Sequence, residues 1–419
     1  MQLDVLALAF VSASFAVLIY WVWKLIALYV FTPAFPPLED DKLPPACVIL
    51  PLRGTDPHLS DCVHRLLTQD YPHYAVRIVI DSPDDPAWNV VKQIIEREGS
   101  SIDVRASAMQ SHCTTCSLKV SAQAQAIAEL DDQYEIVAFI DADVVPPTNW
   151  LRSLVTPLAK PQIGLTTGIR WYAPPTATWG ALVRHVWNSA SQTQMYAFDH
   201  PWGGSFAIRA AFLRDPQFVA EWKTSFCDDS GAGDLVVKRG YRVQFLPAMT
   251  MVNHETIDLP SCSRFIRRQL LCPRMDLRHW PAMLMANLCM LVSITLCIGF
   301  IFAGLVRHEP KWVWWFGGAL LFYFAAQLPG LFVAEVVIRR FVHARGEKIA
   351  PPMFSWKLVF VPLLTQGLQF YWLASAMFAR RTTWRGVDYR LDGQRRVSLV
   401  EYRPYVDSGA RRAPNESVV

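Results

Sequence analysis

The placement of its apolar stretches constrains this chain more than anything else in the sequence. Residues 3–31 form an almost continuous apolar run whose interior is broken only by Lys24, longer than the roughly 20 residues that cross a bilayer. No small-residue cleavage site follows it, so the run reads as a retained signal anchor. Three more apolar segments, 281–306, 312–338 and 356–379, are each long enough to span. Trp312, Trp314, Trp315 and Trp356 lie at segment ends, as an interfacial aromatic belt requires. Composition agrees: 52% of the 419 residues are hydrophobic and only 18% charged, below the roughly 25% of an ordinary soluble domain.

Between the first apolar run and the other three, polarity becomes that of a soluble domain. Pro33, Pro36, Pro37, Pro44 and Pro45 make a stiff linker into it. The expected organisation is an anchor at 1–31, a linker at 32–45, a catalytic domain at 46–257 and an interfacial amphipathic segment at 258–280. Three transmembrane or re-entrant segments at 281–379 and a basic tail at 380–419 complete it. The positive-inside rule puts the domain in the cytosol, because the residues before the first span carry no Lys or Arg. Four full spans would leave the tail outside, yet Arg380, Arg381, Arg385, Arg390, Arg395 and Arg396 place it inside. One segment is therefore expected to be re-entrant, and 312–338, interrupted by Gln327-Leu328-Pro329-Gly330, is the candidate. The chain is expected to be a multi-pass integral protein of a bacterial inner membrane or a Golgi-type membrane.

Within 46–257, β-branched runs at 48–50, 76–80, 102–104 and 136–140 alternate with helical patterns such as 87–98 and 119–130. This alternation predicts an α/β fold with a mostly parallel sheet, whose ligands bind beyond the carboxyl ends of the strands. The net charge of +4 and the lack of a basic, aromatic-interleaved stripe exclude nucleic acid as a partner. Nine cysteines, with Cys47, Cys62 and Cys227 in the domain expected to be cytosolic, predict a reduced state. Cys113 and Cys116 read as loop cysteines, and the sequon at Asn415 is too weak to fix a compartment.

Two of the predicted strands run into acidic clusters. Residues 76–80 lead to Asp81-Ser82-Pro83-Asp84-Asp85-Pro86, and 136–140 lead to Asp141-Ala142-Asp143. Carboxylates one residue apart on an extended turn can share a hard divalent cation, Mn2+ or Mg2+, which keeps positions open for a diphosphate.

The ordered series Pro51-Leu52-Arg53-Gly54-Thr55-Asp56-Pro57, Gln69-Asp70-Tyr71-Pro72, Asp84-Asp85-Pro86, Lys119, Asp141-Ala142-Asp143, Asp228-Asp229 and Lys238-Arg239-Gly240-Tyr241 resembles the GT-A glycosyltransferases of the family-2 and ceramide glucosyltransferase type. The tail run Trp384-Arg385-Gly386-Val387-Asp388-Tyr389-Arg390-Leu391 resembles the motif that closes many lipid-modifying members. The resemblance implies that Asp85 contacts the uridine base, with Leu52 and Arg53 near the nucleotide and Lys119 near the donor. It also implies that Asp141 and Asp143 hold ribose, metal and diphosphate, Asp143 being the metal ligand. Asp229 takes the place of the catalytic base, deprotonating an acceptor hydroxyl that attacks with inversion. Trp202, Gly203 and Gly204 occupy the acceptor-side loop, with Asp228 beside the base.

The sequence departs from that family at its QxxRW or RxxRW motif. In the stretch Arg268-Gln269-Leu270-Leu271-Cys272-Pro273-Arg274, Leu271 and Cys272 stand where Arg and Trp are expected. Arg268 and Gln269 remain, and Arg267 or Arg274 is available to the leaving phosphates. The lost Trp favours a small lipid acceptor over a growing polysaccharide. Amphipathic patterns around Trp179 to Trp187 and Phe265 to Leu271 suit helices lying in the membrane interface. The expected function is transfer of a hexose or N-acetylhexosamine from a UDP-sugar to a membrane lipid, ceramide-like first, then diacylglycerol or hopanoid. A processive polysaccharide synthase and a non-catalytic membrane scaffold are the alternatives. His254-Glu255 is expected to be structural, and nothing in the sequence speaks to oligomeric state.

Overall fold

A computed structural model of the chain describes residues 2–98, 102–351 and 355–405. The Asn415 sequon and the end of the basic tail lie outside them. The strands are β1 (Ala46–Leu52), β2 (Tyr74–Ile80), β3 (Asp103–Ala108), β4 (Ile136–Ile140), β5 (Ile163–Tyr172), β6 (Ser205–Arg209), β7 (Arg242–Asn253), β8 (Arg381–Trp384), β9 (Val387–Leu391) and β10 (Val397–Glu401). The first seven form one sheet in the order β3-β2-β1-β4-β6-β5-β7. All its pairings are parallel except those of β6 with β4 and β5. β2 and β4 are buried along their whole length because helices cover both sheet faces, which explains their unbroken apolar sequences.

The helices of the domain are α1 (Gln2–Val30), which leads into it, α2 (Leu59–Leu67), α3 (Ala87–Glu98), α4 (Leu118–Ala128), α5 (Trp150–Val155), α6 (Trp179–Ala197), α7 (Ala210–Arg214), α8 (Pro216–Trp222), α9 (Asp228–Lys238) and α10 (Leu259–Asp276). Side-chain caps start several of them: Ser117 accepts from Val120 N at 3.4 Å, Thr178 from Ala181 N at 3.1 Å and Asp258 from Ser261 N at 2.7 Å. After α10 come α11 (Trp280–Val306), α12 (Pro310–Ala325), α13 (Gln327–Ala344) and α14 (Val361–Phe378).

Three helical stretches are long and apolar enough to cross a membrane: α1, α11, and α12 with α13 taken together. The stretch expected to be re-entrant forms α12 and most of α13. Trp312, at the start of α12, donates to Asp4 at the head of α1 (3.2 Å). Further along, Tyr323 stacks on Phe15 at 5.6 Å, and a Cβ at Gly330 would lie 3.2 Å from Leu25. The α12–α13 pair therefore runs parallel to α1 along its length, with Ala326 alone between the two helices. Pro329 falls in the first turn of α13, where its missing N–H breaks no bond.

The last expected segment is not among these three stretches. Its helix α14 is only 18 residues long and packs on α6 and α10. The apolar faces of those two helices, expected at the membrane interface, are buried with it in one cluster around Leu182, Val183, Phe265, Ile266, Leu270 and Trp372. The basic tail likewise has a structure the sequence did not suggest. Strands β8, β9 and β10 form an antiparallel sheet, and Tyr389 on β9 accepts the Leu118 amide at 3.1 Å. Tail and catalytic domain thus pack against each other.

Cys227 and Cys272 are joined in a disulfide, correcting the expectation of free thiols throughout. The bond ties the start of α9 to α10. Cys113 and Cys116 are free.

Candidate active site

The site lies where a parallel sheet leads one to look, beyond the carboxyl ends of β1, β2 and β4. A cavity of about 430 Å³ opens there and continues between the membrane helices. Leu52, Arg53, Asp81, Lys119, Asp141, Asp143, Trp202, Gly203, Gly204, Asp228, Asp229, Arg268 and Gln269 all line it. So do Leu18, Trp21, Leu25, Met290 and Leu331 from the apolar half. All but one of the residues expected at the site thus share its wall.

The exception is Asp85. Its carboxylate is turned inward and accepts from the Gly54 amide and the Ala87 amide, both at 2.9 Å. It caps α3 and fixes the turn after β1, and burial raises its pKa above the usual carboxylate range. Asp81, four residues earlier, is the carboxylate at that end of the cavity. Strand-end position alone could have separated the two: Asp81 follows β2 directly, whereas Asp85 stands beside a helix start.

Lys119 enters from the first turn of α4 and bridges two carboxylates, 2.7 Å from Asp141 and 3.0 Å from Asp228. Its third contact is the Gly203 carbonyl at 3.2 Å. Burial disfavours the ammonium, but Asp141, Asp228 and Asp229 outweigh it and lift the lysine pKa. Asp228, almost fully buried, also accepts from Gln123 Nε2 at 2.7 Å. Through these contacts it holds Lys119 and α4 in place.

Asp143 faces a cation the sequence reading missed. Arg170 of β5 donates to both its oxygens at 3.2 Å and lies over the Trp202 ring at 4.8 Å. Burial pushes the Asp143 pKa up, yet Arg170, Arg385, Lys119 and Arg268 outweigh it and leave the carboxyl below its ordinary value. Arg268 has no hydrogen-bond acceptor or ion-pair partner among the described residues, and lies over the Trp384 ring at 5.6 Å. Burial, aided by the Arg385 charge, lowers its pKa to about 10. A guanidinium placed this way on a cavity wall has the chemistry to pair with an anion.

Of the other arginines proposed for that task, Arg274 instead donates to the Ala376 and Ala379 carbonyls, at 2.5 and 2.6 Å, at the end of α14. Arg267 is exposed over Tyr371. The R-x-x-R spacing is in fact present one turn before the stretch first considered, as Arg264 and Arg267, with Arg268 in the following place. Leu271 is buried and Cys272 disulfide-bonded, so neither marks the motif.

Asp229 differs from the other carboxylates. Among the described residues no cation pairs with it; Gly203 N donates to Oδ2 at 2.6 Å, and Ser230 N to Oδ1 at 2.5 Å. Ser230 Oγ in turn meets His200 Nε2 at 2.6 Å. Gly203 is required by this approach, since a Cβ there would lie 2.8 Å from Asp229 Oδ2. At the foot of α9, Asp276 of α10 accepts from Cys227 N at 2.7 Å and Phe226 N at 3.2 Å. Burial raises its pKa to about 7.

His254 and Glu255 stand apart from this group. His254 contacts the Ala173 carbonyl at 3.0 Å and Glu255 pairs with Arg184 at 2.7 Å. Among the described residues no group of three or more His, Cys, Asp or Glu forms a metal cage.

Comparison with known proteins agrees with this picture. The family model described as glycosyl transferase family 21 matches residues 5–397. Ceramide glucosyltransferase from Pyricularia oryzae is 35% identical over 75 residues, 17% of this chain and 15% of that one. The enzyme of the same name from Gibberella zeae is 33% identical over 75 residues, 17% and 14% of the two chains. The matched stretch is thus about one seventh of those relatives' length. Among solved structures, the mannosyltransferase PcManGT from Pyrobaculum calidifontis, in complex with GDP-Man and Mn2+, has a TM-score of 0.51 at 17% identity. The match covers 90% of this chain and 97% of that one, and shows a shared GT-A glycosyltransferase fold.

Proposed function

This chain belongs to glycosyl transferase family 21, and we propose that it transfers a hexose or N-acetylhexosamine from a UDP-sugar to the hydroxyl of a membrane lipid, ceramide-like first, with inversion. One observation carries the reading: a single cavity joins Asp229 and its surrounding cations to the membrane helices, with Trp21, Met290 and Leu331 on the same wall. A lipid seated between α1, α11 and α13 would bring its head group to Asp229 without leaving the apolar phase. Diacylglycerol and hopanoid acceptors are the next choices.

The residues divide the work by charge. Asp229, oriented by two amides and free of a paired cation, removes the proton from the acceptor oxygen as it attacks the anomeric carbon. Arg268, Arg170 and Arg385 surround the place where a departing diphosphate gathers negative charge. Lys119 neutralises Asp141 and Asp228, so an anionic donor is not repelled from a wall of carboxylates.

A divalent cation fits the donor set here as an incomplete shell. Asp141 and Asp143 offer oxygen ligands to Mn2+ or Mg2+, and the diphosphate and water would supply the rest. When bound, the ion would neutralise charge on the leaving UDP.

The positive-inside rule assigns the domain and tail to the cytosol. The test of the function is mass analysis of lipids after incubating the purified protein with UDP-sugars and extracted membranes. One sugar per lipid is expected; a ladder of chain lengths would indicate a polymerase, and no transfer with any donor would end the reading.

A further inference from the structure

We infer that the C-terminal strap from Trp384 to Tyr405 is a positioning element of the donor site, setting Arg53 and Asp81 to receive the nucleoside end of the donor. The inference rests on the reading of this cavity as a nucleotide-sugar site.

The strap crosses the loops that follow three adjacent strands. After β1, Arg53 gives each of its nitrogens a partner: Nε donates to the Arg385 carbonyl at 2.9 Å, Nη2 to the Arg403 carbonyl at 2.9 Å and Nη1 to Asp81 at 2.5 Å. After β2, Asp81 receives the Tyr405 amide on Oδ2 at 2.9 Å, and its carbonyl receives the Tyr402 hydroxyl at 3.0 Å. After β3, His112 stacks on Tyr402 with ring centroids 3.9 Å apart, and the Leu399 amide donates to the Thr114 carbonyl at 2.9 Å.

The turn at Gly54, with φ +74°, leaves room for the Tyr405 ring, since a Cβ there would stand 2.5 Å from it. Tyr402, Arg403 and Tyr405 are absent from the cavity wall, whereas Arg53 and Asp81 are on it. The strap therefore acts through those two side chains. Without it, Arg53 loses two of its three acceptors and Asp81 two of its donors, and both would spread over many rotamers at the mouth of the site.

The test uses the full-length protein in detergent, with UDP binding by calorimetry and steady-state kinetics side by side. Tyr405→Ala is expected to raise the UDP Kd and the donor KM about tenfold, with kcat at saturating donor and the acceptor KM nearly unchanged. Tyr402→Phe, which keeps the stacked ring and removes one bond, should shift the same constants in the same direction by less. A double-mutant cycle of Tyr405→Ala with Arg53→Ala should be non-additive, because the Tyr405 ring lies under the Arg53 guanidinium at 5.8 Å and acts through it.

Unchanged or tighter UDP binding in both strap variants would overturn the inference, tighter binding being what a strap that blocks the site would give. Strict additivity in the cycle would overturn it as well. Failure of the wild type to bind any nucleotide is a different result: it would defeat the donor reading, and the strap's role with it.

Discussion

Arg53 and Arg385, 332 positions apart in sequence, clasp each other reciprocally: Arg53 Nε donates to the Arg385 carbonyl and Arg385 Nη1 to the Arg53 carbonyl, each at 2.9 Å. The second nitrogen of Arg385 grips Asp56 at 3.0 and 3.1 Å. Arg385 holds φ +48° beside Gly386 at +75°, the signature of a tight hairpin turn between β8 and β9. That turn projects the guanidinium back into the catalytic domain. Arg385→Lys keeps the charge but not the fork, so kcat/KM for the donor should fall by about one to two orders of magnitude. Steady-state kinetics at varied donor would show it, and wild-type values in the lysine variant would refute it.

Asp229 is the carboxylate without a cation, which suits a base. Asp229→Asn should lower kcat by about 10² to 10⁴-fold, the usual contribution of a general base, while UDP affinity stays near wild type. Retained turnover in the asparagine variant would mean that another group takes the proton.

Gly203 matters through one oxygen. Gly203→Ala would place a methyl group 2.8 Å from Asp229 Oδ2 and 3.1 Å from Asp228 Oδ1. The loop or the base must shift, and misplacement on the order of 1 Å can cost about a hundredfold in rate. The expected signature is a fall in kcat with donor KM little changed.

Asp276 gives the fold a pH dependence. Its folded pKa is raised from 3.8 to about 7 by burial, so the native state holds this proton more tightly than the unfolded chain. Stability from this group is fully present below about pH 4, and is lost as pH rises to about 7. Melting temperatures should therefore decline across that window and level off above it. Asp276→Asn should flatten the decline without abolishing it, because burial displaces Asp141 and Asp228 in the same direction. An unchanged slope in the variant would show that Asp276 is not the group responsible.

Chelation probes Asp141 and Asp143. EDTA is expected to abolish transfer and Mn2+ to restore it, and Asp143→Asn should raise the Mn2+ concentration needed for half-maximal rate by about tenfold. Full activity in chelator would assign charge neutralisation to Arg170, Arg268 and Arg385 alone.

Much of this protein was decided by local pattern. Apolar length fixed the anchor and the later membrane segments, because a bilayer imposes a length and a composition on any helix that crosses it. Alternating runs marked the parallel sheet; the strand expected at 136–140 and the helix at 87–98 match β4 and α3 residue for residue. Asp141 and Asp143 were legible because a strand end and a one-residue spacing are properties of adjacent residues.

What the tertiary structure alone decided involves residues far apart in the chain. No spacing pairs Arg170 with Asp143, Lys119 with Asp228, or Arg385 with Asp56. Nor does any spacing show that the Gly54 and Ala87 amides turn the Asp85 carboxylate inward. The tail read only as a basic segment, because its partners lie on strand ends and at the start of α4, 271 to 350 residues earlier. Sequence pattern reports one element's own periodicity and chemistry; long-range pairing reports the packing of all of them.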